Sequence, residues 1–125
     1  MSTHYDSIII GTGQAGPSLA GRMTGAGMRV AVAERGLFGG TCVNTGCTPT
    51  KTLVASAYAA HLARRAADFG VTIAGRVGVD MKSVKARKDA VSGESRAGLE
   101  SWLKQMNNCT LYRGHAPSPH PTTHR

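Results

Sequence analysis

The stretch from Tyr5 to Glu34 limits this chain's fold more than any other. "YDSIII" (5–10) and "MRVAVAE" (28–34) are β-branched, apolar runs of strand length. Between them lie the glycine turn "GTGQAG" and a short helical stretch in which Pro17 falls in the first turn, where its missing N–H would be unpaired anyway. Gly25 and Gly27 punctuate the helix end. Strand, turn, helix and strand make a βαβ unit, and parallel strands joined in this way point to an α/β fold, a parallel sheet with flanking helices.

The rest of the chain extends that plan. A second helix is expected to start at Thr48 as cap, with Pro49 at its first position, and to run through "KTLVASAYAAHLARRAADF" to a stop at Gly70. A third is expected from Asp80 as cap to about Met106, with Val84, Val91, Leu99, Trp102, Leu103 and Met106 as a patchy apolar stripe. Gly93 and Gly98 weaken it by roughly 1 kcal/mol each relative to Ala, which allows a break between them. "CTLYRG" (109–114) reads as another strand, opened by Cys109 as a small buried apolar residue. The last nine residues, "PSPHPTTHR", hold three of the five prolines and no aliphatic residue. One domain over 1–116 and a disordered, proline-rich tail over 117–125 are therefore expected.

Composition removes several classes of function. No signal-peptide pattern opens the chain and no run approaches the roughly 18 apolar residues of a membrane span, so a cytoplasmic protein that does not engage membrane is the expectation. The net charge of +8 is spread rather than blocked. Its densest cluster, "KSVKARK" (82–88), falls on the third helix as a solvated face, and two Phe, one Trp and three Tyr offer little for base stacking. Nucleic acid is therefore not an expected partner.

Gly11, Gly13 and Gly16 follow a strand and open a helix. The first permits the turn, the second lets the backbone approach a pyrophosphate, and the third lets the helix pack on the strand, with helix N–H groups aimed at the phosphates. Glu34 ends the next strand, where a carboxylate would receive both hydroxyls of an adenosine ribose and would favour one without a 2′-phosphate. The fold class is thus Rossmann-like. The plain alternative is a glycine-rich turn with Glu34 an ordinary strand-end acid, and these features alone do not separate FAD from NAD.

"GGTCVNTGCTPTK" (39–51) holds Cys42 and Cys47, two of three cysteines. Without a disulfide framework, a close pair at cytoplasmic redox poise points to redox or metal chemistry. In a regular helix, residues so spaced are displaced by about 7.5 Å along the axis, beyond the roughly 4.4–6.8 Å between the Cα atoms of a disulfide. If the two bond, the segment between them is not regular helix, and Asn44 and Gly46 supply the backbone freedom. A helix starting near Thr48 would aim its N-terminal dipole at Cys47 and favour a thiolate there. The sulfurs would then differ: an exposed one exchanges with substrate and an inner one is held as a thiolate. Two unrelated buried cysteines, or capture of a soft metal by both thiolates without further ligands, are the other readings.

"GTGQAG", "AVAER" and "GGTCVNTGCTPTK" together closely resemble the N-terminal FAD-binding portion of the pyridine nucleotide-disulfide oxidoreductases, which include dihydrolipoamide dehydrogenase, glutathione reductase and mercuric reductase, with mercuric-reductase-like members nearest. The resemblance runs from about Tyr5 to Ala116. It implies FAD as cofactor, Cys42 as the interchange thiol and Cys47 as the charge-transfer thiol beside the flavin. It also implies Lys51 near the flavin N5, Gly39, Gly40 and Thr41 lining the cofactor, and His115 and Ala116 of "GHA" at the adenine.

A complete family member continues with more of the FAD domain, an NAD(P)H domain and a dimerisation domain bearing an acid/base His-Glu pair. None of these is read in this chain: there is no second GxGxxG, and His4, His61, His115, His120 and His124 match no acid/base position. His120 and His124 belong to the tail, although stray metal binding is the other reading of them. The chain is therefore expected to be an incomplete FAD domain, its tail resembling the product of a frame change, weakly stable and unable to turn over alone. Homodimerisation and a small disulfide or soft-metal substrate are implied for the full-length family only.

Overall fold

A computed structural model describes residues 3–117. Its centre is a three-stranded parallel sheet of β1 (Ser7–Ile10), β2 (Val30–Glu34) and β3 (Cys109–Arg113), with β2 in the middle. Ser7 is in register with Val30 and Ile9 with Val32, while Val30 meets Cys109 and Glu34 meets Arg113. The central strand has neighbours on both edges, and its apolar run Val30, Ala31, Val32 and Ala33 is buried, with Glu34 half-buried at its end.

Side chains alternate across the sheet, so one parity of positions decides what is covered. Ile9, Val30 and Val32 share a face with Leu111. There they form a core with Ala20 of α1 (Ala15–Gly25), Leu103 of α4 (Met81–Gln105) and Phe38. The other parity carries Ile8 and Ile10, each 66% exposed, and Tyr112, 46% exposed. Along that rim the hydroxyls of Tyr5 and Tyr112 lie 2.6 Å apart. Helices thus cover the sheet on one face.

A second helical layer is α3 (Cys47–Arg64), which packs on α4 rather than on the sheet and buries only Pro49 and Thr52. Arg87, in the cluster read as a solvated face, donates to the carbonyl of Thr52 at 3.1 Å and so ties the two helices.

Several boundaries differ from expectation. The residue preceding α3 is Gly46, not Thr48, and Thr50 N–H closes the first turn on the Gly46 carbonyl at 3.1 Å. Pro49 is then third in the helix, still among the N–H groups that have no intrahelical partner. The helix stops at Arg64, a single 3-10 turn follows over Ala66–Phe69, and Gly70 ends it at φ +72°. Asp80 caps α4 as expected, accepting from Lys82 N–H at 2.9 Å. That helix runs unbroken through Gly93 and Gly98, since Ser92, Leu99 and Leu103 anchor it on either side. A short helix, α2 (Gly40–Asn44), was not anticipated. The expected tail lies outside the described residues beyond Pro117, as do His120 and His124.

Candidate functional site

The glycine turn follows β1 directly. Gly11 takes φ +96° and donates to the carbonyl of Ala33 at 2.8 Å, so the turn starts while the chain is still paired to β2. A Cβ on Gly16 would lie 2.4 Å from the Gly11 carbonyl oxygen, which is why α1 can close on the strand only with glycine there. Gly13 faces open space within 4 Å of where a Cβ would stand. Gly11 thus makes the turn and Gly16 the packing of α1 on the strand.

Glu34, at the end of β2, is engaged by the turn itself. Its Oε2 accepts from Thr12 N–H at 2.9 Å and from the Thr12 hydroxyl at 2.6 Å, while Oε1 accepts from Gly36 N–H at 2.8 Å. Burial pushes the carboxyl up, but hydrogen bonds from the Thr12 hydroxyl and from the backbone N–H groups of Gly36, Thr12 and Arg35 outweigh it. The group is held below its ordinary value of 4.5.

The backbone beyond β3 completes this end. Gly114 N–H donates to the Glu34 carbonyl at 2.9 Å, which carries His115 and Ala116 to the same place. A pocket of about 240 Å3 results, lined by Ile10, Gly11, Ala33, Glu34, Arg35, Gly114, His115 and Ala116. Four residues singled out in the sequence, Gly11, Glu34, His115 and Ala116, thus converge. Thr12 and Arg35 were missed; the only sequence signal for either was adjacency, one inside the glycine motif and one beside the acid. A larger cleft of about 610 Å3 lies along residues 63–77 and touches none of them.

The cysteine segment docks against the same turn. Gly39 N–H lies 3.1 Å from the Thr12 carbonyl and 3.2 Å from its hydroxyl. Gly40, at φ +60°, approaches so closely that a Cβ would stand 2.9 Å from Gly13 Cα. Buried Phe38 anchors the segment in the core, with the Arg113 guanidinium 5.0 Å from its ring centre. Asn44 is helical rather than a source of backbone freedom, and its amide donates to the carbonyls of Phe38 and Gly40, both at 2.9 Å.

Cys42 lies within α2 and Cys47 opens α3, with the break at Thr45 and Gly46 between them, so the intervening segment is not regular helix. Both are free thiols. The hydrogen bond from Cys42 to Cys47 pushes the Cys42 thiol up, burial and the charge of Cys47 add to this, and the charge of Lys51 opposes it. Exposure runs against the expected order: Cys42 is half-buried and Cys47 exposed. Lys51, one turn along α3, and Thr41 are also exposed.

Other candidates lie apart. His61 stacks on Tyr58 with ring centres 6.2 Å apart, about 21 Å along α3 from Cys47. Cys109 is half-buried and its thiol is pushed up by burial, as a small core residue. Among the described residues no group of three or more His, Cys, Asp or Glu could hold a metal, and no helix is long and apolar enough to cross a membrane.

Comparison with known proteins agrees with this geometry. The family model described as pyridine nucleotide-disulphide oxidoreductase matches residues 5–108. A dihydrolipoyl dehydrogenase of Acholeplasma laidlawii is 38% identical over 91% of the chain and 34% of its own length. A mercuric reductase of Lysinibacillus sphaericus is 39% identical over 90% of the chain and 20% of its own length. Among solved structures, the Cu(II) complex of the HOCl-induced flavoprotein disulfide reductase RclA from Escherichia coli superposes with a TM-score of 0.69 at 33% identity. That match covers 90% of this chain and 22% of the other. The chain spans between a fifth and a third of the length of these relatives.

Proposed function

The chain belongs to the pyridine nucleotide-disulphide oxidoreductase family, and from that premise we propose that it binds FAD and carries a redox-active thiol pair, Cys42 and Cys47. The observation that carries this reading is the junction at Thr12, where the turn that grips Glu34 also receives the Gly39 N–H at the head of the cysteine segment. One extended ligand could therefore touch both ends.

In this reading Glu34 takes up ribose, His115 and Ala116 flank the adenine, and Gly11, Gly13 and Gly16 bring the start of α1 to the phosphates. Gly39, Gly40, Thr41 and Lys51 line the flavin half. Bound FAD supplies a two-electron reservoir. The chain's own thiols perform exchange: the Cys42 thiolate attacks one sulfur of a small disulfide and releases a thiolate. Cys47 then attacks the Cys42 sulfur, freeing the second half of the substrate and leaving an intrachain disulfide, with the two thiol protons passing to the departing thiolates. A soft metal ion held by both sulfurs is the other substrate class this pair suits.

A second reading, a flavin- or nucleotide-binding module without turnover, draws on the exposure of Cys47. Titration followed by flavin fluorescence tests the shared premise. FAD is expected to bind one to one, and FMN, which lacks the adenosine, at least tenfold more weakly. Equal affinity for both, or none for either, would contradict it. Mixing with oxidised glutathione separates the two readings, because only a working pair yields an intrachain Cys42–Cys47 disulfide by mass spectrometry.

A further inference from the structure

Leu53, Ala57, Ala60 and Arg64 follow one another along α3 at intervals of three and four residues, which places them on one stripe of the helix. With Val79 before α4 and Met81 and Val84 in its first turn, they line a pocket of about 400 Å3. Ser56 also lines it, but its hydroxyl is engaged already, donating to the Thr52 carbonyl and accepting from Arg87, both at 3.4 Å. The lining is therefore apolar apart from the guanidinium of Arg64. We propose that this pocket binds a straight-chain fatty carboxylate of medium length, with its hydrocarbon chain between α3 and α4 and its carboxylate on Arg64. None of these residues lines the pocket at Glu34, so the proposal stands apart from the nucleotide reading.

The head-group end rests on charge. Arg65 is spent on Asp68 at 2.9 Å and on the ring of Phe69, and Arg87 on the Thr52 carbonyl. The Arg64 side chain has no ion-pair partner among the described residues. Arg64 also borders the larger cleft along residues 63–77, where Arg76 is the other charged lining residue, and no acidic residue lines either hollow. A guanidinium so placed suits a carboxylate, which it can hold through two parallel N–H donors. The chain end rests on size and polarity. The volume falls in the range that small ligands fill. Leu53, Val79 and Met81 are 41%, 44% and 65% exposed, apolar surface that a hydrocarbon chain would remove from water. A second copy of this chain suits the pocket less, because each copy carries a net charge of +8 and would bring like charge to Arg64 and Arg76.

The test is an NMR titration of the full chain with butyrate, hexanoate, octanoate and octanol, read at the methyl signals of Ala57, Ala60 and Met81. Affinity should rise about threefold per added methylene from butyrate to octanoate. Octanol should bind about fivefold more weakly than octanoate, the scale of an exposed ion pair. Arg64→Gln should abolish that preference and keep the chain-length dependence, whereas Arg65→Gln should preserve both. Ala57 is exposed, so Ala57→Leu should fold and, by filling the pocket, weaken octanoate about tenfold, the loss of about two buried methylenes. Octanoate binding no tighter than butyrate, octanol binding as tightly as octanoate, a preference that survives in Arg64→Gln, or full affinity in Ala57→Leu would each overturn the proposal. So would a folded wild-type chain whose Ala60 and Met81 signals stay unmoved by octanoate. Should Ala57→Leu fail to fold by circular dichroism, the chain-length series on the wild-type chain decides in its place.

Discussion

At the end of the site proposed for adenosine both carboxylate oxygens of Glu34 have donors and the surrounding backbone closes a small pocket, whereas at the cysteine end Cys47 stands exposed and the buried Oδ1 of Asn44 has no partner among the described residues. The first end is built from β1, its glycine turn, the tip of β2 and the residues after β3, all held by one sheet register. The second hangs on that sheet through Phe38, Gly39 and Gly40 and has protein on only part of its surroundings. A preformed pocket gives affinity because little must be ordered on binding. The contrast teaches that the pocket at Glu34 is closed by residues of this chain, while Cys47 is left exposed.

The largest expected effect destroys both ends together. Gly16→Val would force a Cβ to within 2.4 Å of a backbone oxygen, and a loss of about 3 kcal/mol, near the upper range for overpacking, should appear in urea denaturation. A chain that kept its stability would break the view that one packed turn supports both regions.

Glu34→Gln should act on one end only. FAD affinity should fall at least tenfold, given roughly 1.5–3 kcal/mol for a hydrogen bond to a charged group, while the rate of Cys47 alkylation stays within twofold. A matching change in thiol reactivity would mean the ends are coupled.

Acidity and alkalinity should also separate them. Glu34 is depressed in the folded chain, so its contribution is present above its ordinary value of 4.5 and is lost as pH falls through the lower folded value. The Cys42 thiol is raised, so the stability it adds is full below its ordinary value of 9.0 and is lost as pH rises through the higher folded value. FAD affinity should therefore hold flat through neutrality and fail in acid, and Cys42 alkylation should quicken as pH rises. Exposed Cys47 should react several-fold faster than Cys42 near neutrality, and added FAD should slow Cys47 selectively; peptide mapping after iodoacetamide reads both.

The smallest effect lies away from both ends. Asp80→Ala removes the cap of α4 and should cost about 1 kcal/mol in thermal unfolding without changing FAD affinity.

How much of this was legible in the sequence follows the same division. The βαβ unit, Glu34 and the third strand were readable because β-branched runs, glycine spacing and strand ends are local signals. Thr48-Pro49 imitated a helix start, but the break that separates the two cysteines is made two residues earlier by Gly46, where a Cβ would stand 3.0 Å from the Thr41 carbonyl oxygen. The five residues of α2 carry no periodicity to detect, and Asn44 serves through its side chain rather than its backbone. Gly93 and Gly98 failed to break α4 because burial of Leu103 and its neighbours outweighs a weak local preference. Thr12 was silent for a different reason: its worth lies in hydrogen bonds to Glu34 and Gly39, both distant in sequence.

The central claim is that Cys47 belongs beside a flavin held by this chain. It is tested most directly by an anaerobic absorbance titration with FAD followed by dithiol reduction. The account predicts a long-wavelength thiolate-to-flavin charge-transfer band that is lost in Cys47→Ser and kept in Cys42→Ser. Bound FAD without such a band, or a band indifferent to Cys47→Ser, would contradict it.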